Sequence, residues 1–403
     1  MDVRISPSVL KGHVDIPASK SCAHRALICA ALADGVSQLT GVSMSDDIYA
    51  TIGAMTALGA SFEVDGTDVT VTGISSVPAA ADIDCCESGS TLRFIIPIAA
   101  ALGADSIFRG RGRLPQRPID IYKRELSAHG VTFTEPEMPY SITGRLTGGR
   151  FEMEGNVSSQ FITGLLFALP LLDVDSEIVL TSKLESRPYV DITIDMLRRF
   201  GVTAEDNGSG FRIAGGQHYR PCDMHIEGDY SQAAFFCVAN AIGSDVDMGN
   251  LDPDSVQGDK AILELTAGGN AGFSADCSDI PDLVPILSVL AAYSTGRSVI
   301  YNAARLKIKE SDRLEAVSAM LNGLGGNVTV TDDGLIIEPL GQLTGGTVDS
   351  FGDHRIVMAA AIAALGCSGD VVITGAEAVK KSYPGFFSDY TSLGGKINVS
   401  DME

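Results

Sequence analysis

The sequence predicts an α/β fold made of six copies of one supersecondary module, three to a domain. Two observations carry the prediction. A short polar segment rich in Ser, Gly, Asp or Pro opens six times directly into an apolar helix rich in Ala, Leu and Ile. The openings are Ser19-Lys20-Ser21, Ser88-Gly89-Ser90, Ser158-Ser159-Gln160, Asp229-Tyr230-Ser231, Ile280-Pro281-Asp282 and Asp353-His354-Arg355. With Lys20, Ser90, Ser159, Ser231, Asp282 and His354 as anchors, the steps are 70, 69, 72, 51 and 72 residues. A period near ~70 marks a duplicated unit, and one short step leaves it standing. Helix N-termini present free backbone N–H groups and partial positive charge, so starts aimed at one place would build an anion site from backbone.

Each opening helix is followed by the same sequence of signals. In the first module residues 37–42 read as a strand and 46–58 as an amphipathic helix closed by Gly59 at the C′ position. Paired strands at 61–64 and 69–72 follow, joined through Asp65-Gly66, a strong turn signal. The plan recurs with a helix over 194–200, Gly201, and strands at 202–205 and 211–213. It recurs again with a helix over 313–324, Gly325, and strands at 327–330 and 335–337 around Asp332-Asp333-Gly334; the last copy closes at 392–397. Helix–strand–helix–strand–strand, with strand input from a neighbouring module, is an α/β unit. No Gly/Ser linker or low-complexity stretch separates the copies, so the domain boundary is expected to be a tight hinge, with residues 221–229 as one crossing.

Composition bounds the function. A chain of 403 residues with 45% hydrophobic and 20% charged residues is an ordinary globular protein of two or three domains. Its net charge of −22 argues against nucleic acid as a partner, because phosphate-backbone binding needs a broad basic surface. Residues 1–7 have no basic-then-apolar signal layout, and no apolar run approaches the ~20 residues of a membrane span. Eight cysteines without a C-x-x-C pair, and six histidines without ligand spacing, imply buried free thiols in a reducing compartment. The expectation is a cytoplasmic protein with no metal, no cofactor and no membrane partner. Neither a Walker A loop nor a strand-borne G-x-G-x-x-G is present, and no Gly-x-Ser-x-Gly elbow supports a serine nucleophile.

The basic residues number 29 against 51 acids, yet many crowd into the short polar motifs. Lys20 and Arg25 flank the first helix start. Arg109, Arg111, Arg113 and Arg117 fill a Gly/Pro loop; Arg305, Lys307, Lys309 and Arg313 share one segment; His354-Arg355 opens the sixth helix, and Lys380-Lys381 precedes Ser382-Tyr383-Pro384. A cation at a helix N-terminus opposes the macrodipole, so Lys20 and Arg355 are badly placed for stability alone, and a bound anion would resolve the conflict. Hydroxyls and carboxylates (Ser158, Ser159, Asp282, Glu310) fall in the same segments. The set supplies binders for phosphate and carboxylate together with proton-transfer groups.

These motifs are recognisable together. Pro17-Ala18-Ser19-Lys20-Ser21 with Arg25, Ser88-Gly89-Ser90-Thr91-Leu92-Arg93, Gln116-Arg117-Pro118-Ile119, residues 155–161, Arg187-Pro188-Tyr189, Ile280-Pro281-Asp282, residues 309–313, Asp353-His354-Arg355 and residues 381–384 run along essentially the whole chain. The sequence resembles the 5-enolpyruvylshikimate-3-phosphate synthases of the enolpyruvyl transferase family. The resemblance implies a two-domain inside-out α/β barrel of six βαβαββ repeats. One domain would hold residues 1–18 and 227–403, the other 19–226, with the active site in the cleft between them. It implies a monomer whose substrates are shikimate 3-phosphate and phosphoenolpyruvate. By position, shikimate 3-phosphate would meet Lys20, Ser21, Arg25, Ser158, Ser159, Gln160, Ser186, Tyr189, Asp282, Arg305 and Lys309. Phosphoenolpyruvate would meet Lys20, Gly89, Arg117, Gln160, Asp282, Glu310, Arg313, His354, Arg355 and Lys381, and the inhibitor glyphosate would compete for the same cations. Lys20, Asp282, Glu310 and His354 would be catalytic: Asp282 suits the hydroxyl proton, and Glu310 and Lys20 suit the proton at C3.

Two positions depart from the family pattern. Glu87 stands where many members carry Asn, so it is expected to turn away or to pair with a basic neighbour such as Arg93; Arg305 stands where some carry Asn. Two rival readings remain beside the first. A UDP-N-acetylglucosamine enolpyruvyl transferase shares fold and chemistry but uses a loop cysteine, and residues 109–117 contain none. A non-catalytic anion-binding protein would leave Asp282 and Glu310 idle.

Overall fold

The computed structural model describes residues 1–269 and 271–400. The chain divides into two compact units: a contiguous one, Ala18–Glu227, and a split one, Met1–Pro17 with the chain from Gly228 onward.

The contiguous unit contains α1 (Lys20–Leu32), α2 (Asp46–Ala57), α3 (Gly89–Leu102), α4 (Asp120–Ala128), α5 (Ser159–Ala168) and α6 (Arg187–Arg199). Helices α1, α3 and α5 are apolar almost all round and almost wholly buried, as core helices must be. Each starts where a serine can cap it. The hydroxyls of Ser19, Ser88 and Ser158 accept the N–H groups of Cys22, Thr91 and Gln160, satisfying donors that have no partner within the helix. Three four-stranded sheets surround this core. In the second, Ala80–Asp84 pairs in parallel with Asp105–Arg109, which pairs antiparallel with Tyr140–Gly144, and that strand with Val131–Phe133. The third repeats the order with Arg150–Met153, Ser176–Leu180, Gly210–Ile213 and Glu205–Asp206. The first takes its parallel edge, Met224–His225, from the far end of the unit, beside Val36–Thr40. Period-two burial fixes the register: in Asp68–Thr72 only Val69 and Val71 are buried.

The split unit contains α7 (Tyr230–Ala241), α8 (Ile262–Ala267), α9 (Val284–Ala292), α10 (Arg313–Gly323), α11 (His354–Ala363) and α12 (Phe386–Ser392). Asp229 and Asp353 cap α7 and α11 through their carboxylates. One sheet follows the same order with Ser274–Asp276, Ser298–Tyr301, Leu335–Ile337 and Val328–Val330. Another borrows the first strand of the chain: Asp2–Ser6 lies antiparallel between Val371–Thr374 and Lys396–Ser400. The third is only a parallel pair, Lys11–Asp15 with Asp245–Gly249. This accounts for the short step of the repeat. Between α8 and Ser274 the described residues form no strand, so the fourth module lacks its antiparallel hairpin.

The six-module α/β plan holds, with local differences. The strand expected at 37–42 runs Val36–Thr40. The helix expected at 194–200 begins seven residues earlier, at Arg187, and its Ser186 takes a left-handed conformation at φ 54°. Residues 202–204 are not strand, because the Gln217 side chain binds both the N–H and the C=O of Thr203 and replaces a ladder. The fifth start opens as a 3₁₀ turn, Pro281–Leu283, before α9, and Asp282 makes no cap hydrogen bond.

Candidate active site

In the contiguous unit the starts of α3 and α5 are tied together. Gln160 Nε2 donates to Ser90 Oγ at 2.9 Å, and Gln160 Oε1 accepts from Arg93 Nη1 at 2.8 Å. Arg93 also donates to the Pro118 carbonyl at 3.2 Å and lies over the Phe161 ring at 4.9 Å. It thereby fixes the turn that carries Arg117, whose guanidinium lies so close over Gly89 that a Cβ there would collide with it. Three expected residues, Gly89, Arg117 and Gln160, therefore form one cluster, with Arg93 as its brace. Glu87 stands on the loop side of this start, where a Cβ on Gly112 would sit 2.7 Å from its carboxyl carbon.

Lys20, at the first position of α1, forms an ion pair with Asp47 of α2 at 2.8 Å. This carboxylate answers the unfavourable placement of a cation at a helix start. Arg25 is buried one turn further on. It donates to the Ser21 carbonyl (2.7 Å), the Tyr189 carbonyl (2.8 Å) and Thr193 Oγ1 (2.8 Å), all neutral groups, and burial pushes its pKa down to about 10. Ser21, Arg25 and Tyr189 thus meet between α1 and α6, with Ser186 at the head of α6 and Ser158 and Ser159 at the head of α5. Beneath them His24 Nδ1 contacts Thr51 Oγ1 at 2.7 Å, and Thr51, Thr91 and Ser88 continue a buried hydroxyl chain. Burial, with Lys20 and Arg25 nearby, holds the His24 pKa well below the usual imidazole range.

In the split unit the three core-helix starts converge on charge. Arg313 is 2% exposed and spans three carboxylates, each at 2.8 Å: Nε to Asp353, Nη1 to Asp282 and Nη2 to Glu310. Arg355 Nη2 donates to the other oxygen of Asp282 at 2.9 Å and to Ser231 Oγ at 3.2 Å. Asp353 accepts additionally from Ser311 Oγ at 3.0 Å while its second oxygen caps α11 through the Arg355 N–H. Burial alone would raise the Asp282 pKa, yet Arg355, Lys309 and Arg313 hold it well below the usual carboxylate range. Burial likewise opposes charge on Arg313, and Asp353, Glu310 and Asp282 overcome it. Lys309 moves the other way: burial brings its pKa down to about 8 against the attraction of Asp282. His354 is buried beside Asp353, Arg305 donates to the Ser278 carbonyl, and Lys381 donates to the Gly352 carbonyl at 2.8 Å. Glu310 is no helix-surface partner of Arg313, since it precedes the Asp312 cap and helix α10.

Two carboxylates of this arrangement escaped the sequence reading. Asp47 was legible only as an acid in the first turn of α2, and Asp353 only as a helix cap, because their cationic partners lie 27 and 40 residues away. Among the described residues no group of three His, Cys, Asp or Glu side chains is arranged to hold a metal ion. Chemically, the contiguous unit offers cations, hydroxyls and helix starts, and the split unit offers ionised carboxylates locked to arginines.

The family model for EPSP synthase (3-phosphoshikimate 1-carboxyvinyltransferase) matches residues 5–390. The chain belongs to this family. It is similar to the 3-phosphoshikimate 1-carboxyvinyltransferase of Clostridium kluyveri, at 46% identity with 98% of each chain covered, and to that of Clostridioides difficile, at 42% identity with 99% of each covered. Among solved structures it is similar to EPSP synthase from Acinetobacter baumannii, with a TM-score of 0.84 and 27% identity over 99% of this chain and 100% of that one.

Proposed function

We propose that this protein transfers the enolpyruvyl group of phosphoenolpyruvate to the 5-hydroxyl of shikimate 3-phosphate, releasing phosphate, on the route to the aromatic amino acids. Family membership over nearly the whole chain supports the reaction, and the carboxylate–arginine constellation of Asp282, Glu310, Arg313 and Arg355 carries the chemistry. The 5-hydroxyl oxygen bonds to C2 of phosphoenolpyruvate while C3 gains a proton, giving a tetrahedral ketal phosphate. The C2–O bond to phosphate then breaks as C3 returns a proton.

Asp282 accepts the hydroxyl proton. Its low pKa keeps it ionised and ready but makes it a weak base. A ligand carboxylate that draws Arg313 and Arg355 toward itself relaxes that hold and strengthens the base when it is needed. Arg313 keeps two of its five N–H groups for such a ligand, three being committed to protein carboxylates. Lys20 and Glu310 serve the proton at C3. Lys20, Gly89, Arg117, Gln160, Arg313, His354, Arg355 and Lys381 hold phosphoenolpyruvate, stabilising the charge that builds on the departing phosphate. Ser21, Arg25, Ser158, Ser159, Ser186, Tyr189, Arg305 and Lys309 hold shikimate 3-phosphate.

We place the enzyme in the cytoplasm as a monomer. All eight cysteines are free thiols, and among the described residues no helix is long and apolar enough to cross a membrane. The experiment is phosphate release with both substrates present. Release must require shikimate 3-phosphate, and Asp282→Asn must lower kcat by about 10²–10⁴-fold, the usual worth of general acid–base catalysis. A folded wild-type protein that releases no phosphate, or that accepts UDP-N-acetylglucosamine instead, would overturn the assignment.

A further inference from the structure

Helices α1, α5 and α6 of the contiguous unit meet at one buried hydroxyl. Thr193, in the second turn of α6, is fully buried. Its Oγ1 lies 2.8 Å from Arg25 Nε, 3.0 Å from Thr163 Oγ1 of α5 and 3.0 Å from the Tyr189 carbonyl of its own helix. The direction of each bond follows from what each group can give. A carbonyl has no proton, so the single Thr193 proton goes to Tyr189, a bond to the preceding turn that a helical Thr makes readily. An arginine Nε–H only donates, so the Thr193 oxygen accepts it, and Thr163 must be the donor in the remaining contact. The hydroxyl is then saturated, with its proton given and both lone pairs filled. Arg25 donates further from Nη1 to the Ser21 carbonyl at 2.7 Å and from Nη2 to the Tyr189 carbonyl at 2.8 Å, and it lies over the Phe94 ring at 5.3 Å. Three of its five N–H groups are thereby committed, which leaves one on each Nη.

We infer that Thr193 is a positioning residue for Arg25, aiming the remaining donors of its guanidinium at shikimate 3-phosphate. The inference rests on the function proposed above and adds a residue to its binding machinery. A planar guanidinium held by two carbonyls alone can pivot about the line that joins them. A third acceptor on Nε, off that line, stops the pivot. The neutrality of that acceptor matters as well, since a carboxylate in its place would cancel the positive field that an anion needs, whereas a hydroxyl fixes direction and leaves the field standing. Through Thr193 the cation on α1 is also tied to the two helices whose heads carry Ser158, Ser159 and Ser186.

Thr193→Val keeps the shape and removes the acceptor. With phosphoenolpyruvate saturating, KM for shikimate 3-phosphate should rise about 10-fold, the scale of one lost hydrogen bond to a charged group, while kcat stays within about 2-fold. Thr193→Ser, which restores the hydroxyl, should return KM to near the wild-type value. Thr163→Val separates positioning from mere loosening: it too deletes the hydroxyl contact between α5 and α6, but it leaves Arg25 its acceptor, so KM should not move. A wild-type KM in Thr193→Val, a fall in kcat alone, or an equal rise in Thr163→Val would overturn the inference. Calorimetric titration with shikimate 3-phosphate makes the same comparison without turnover, so the inference and the proposed reaction fail separately. Equal affinity of wild type and Thr193→Val removes the first, binding without phosphate release removes the second, and no binding by wild type removes both. Should Thr193→Val fail to fold, Thr193→Cys, whose sulfur is a weaker acceptor, should weaken binding by a smaller factor, and unchanged binding there overturns the inference.

Discussion

Arg25 and Arg93 of the contiguous unit keep different company from Arg313 and Arg355 of the split unit. In the contiguous unit Arg25 spends its donors on the Ser21 and Tyr189 carbonyls and on Thr193, and Arg93 reaches Gln160 and the Pro118 carbonyl. In the split unit Arg313 and Arg355 grip carboxylates, three for the first and Asp282 for the second. A guanidinium held by neutral oxygens keeps its positive field and is fitted to receive an anion. One held by carboxylates is nearly cancelled, and it is fitted to set how strongly those carboxylates hold protons. The contrast teaches that one fold, duplicated, can hold buried guanidinium groups on neutral oxygens in one half and on carboxylates in the other.

The largest test of that contrast is Asp353→Ala. Removing this fully buried carboxylate strips Arg313 Nε of its partner and α11 of its cap while Asp282 and Glu310 stay, so unfolding by urea should show a loss of about 3–5 kcal/mol. A loss below about 1 kcal/mol would mean that the network is not the tightly coupled object described. The next test lies in the contiguous unit. Lys20→Met should reduce kcat by at least about 10²-fold, the scale on which loss of a single electrostatic group at a transition state is felt, or ~2.7–4 kcal/mol. Its stability should change less than that of Asp353→Ala, since the Lys20 and Asp47 side chains are 19% and 14% exposed whereas Asp353 is fully buried. Near-normal turnover in folded Lys20→Met would end the idea that this unit's cations act on the reacting groups. The smallest effect is expected at Gly89→Ala. The new Cβ displaces the Arg117 guanidinium, so the KM for phosphoenolpyruvate should rise about 10-fold while kcat moves less. Glyphosate binding, titrated with shikimate 3-phosphate present, should weaken by more. Equal weakening of the two ligands would place Gly89 outside the part of the pocket that tells them apart.

What the sequence disclosed and what it withheld divide along sequence distance. The helix starts were legible because a cap and the apolar run behind it are neighbours: Ser19 before α1, Ser88 before α3, Asp353 before α11. Hairpins such as the one at Asp65-Gly66 were legible for the same reason. The short fourth step was visible as a number, but only the strand pairing shows that a hairpin is missing. The strand expected at 202–205 was misjudged because its competitor, Gln217, lies 14 residues further on. The candidate site residues stood out as motifs, whereas their internal partners did not. Nothing local marks Asp47 as the counter-ion of Lys20.

The strand Asp2–Ser6 finds both its sheet partners only beyond residue 370, and Lys11–Asp15 pairs with Asp245–Gly249. On a ribosome moving at about 5–20 residues per second, the first strand waits roughly 20–80 s for its sheet to exist. The contiguous unit borrows no strand from outside Ala18–Glu227 and is free to fold while the rest is still being made. For that interval the opening segment is an unpaired strand with Val3 and Ile5 uncovered, the kind of edge that recruits the wrong neighbour. Synthesis thus imposes an order that the finished molecule hides: contiguous unit first, split unit last, with the earliest residues made among the last to find their place.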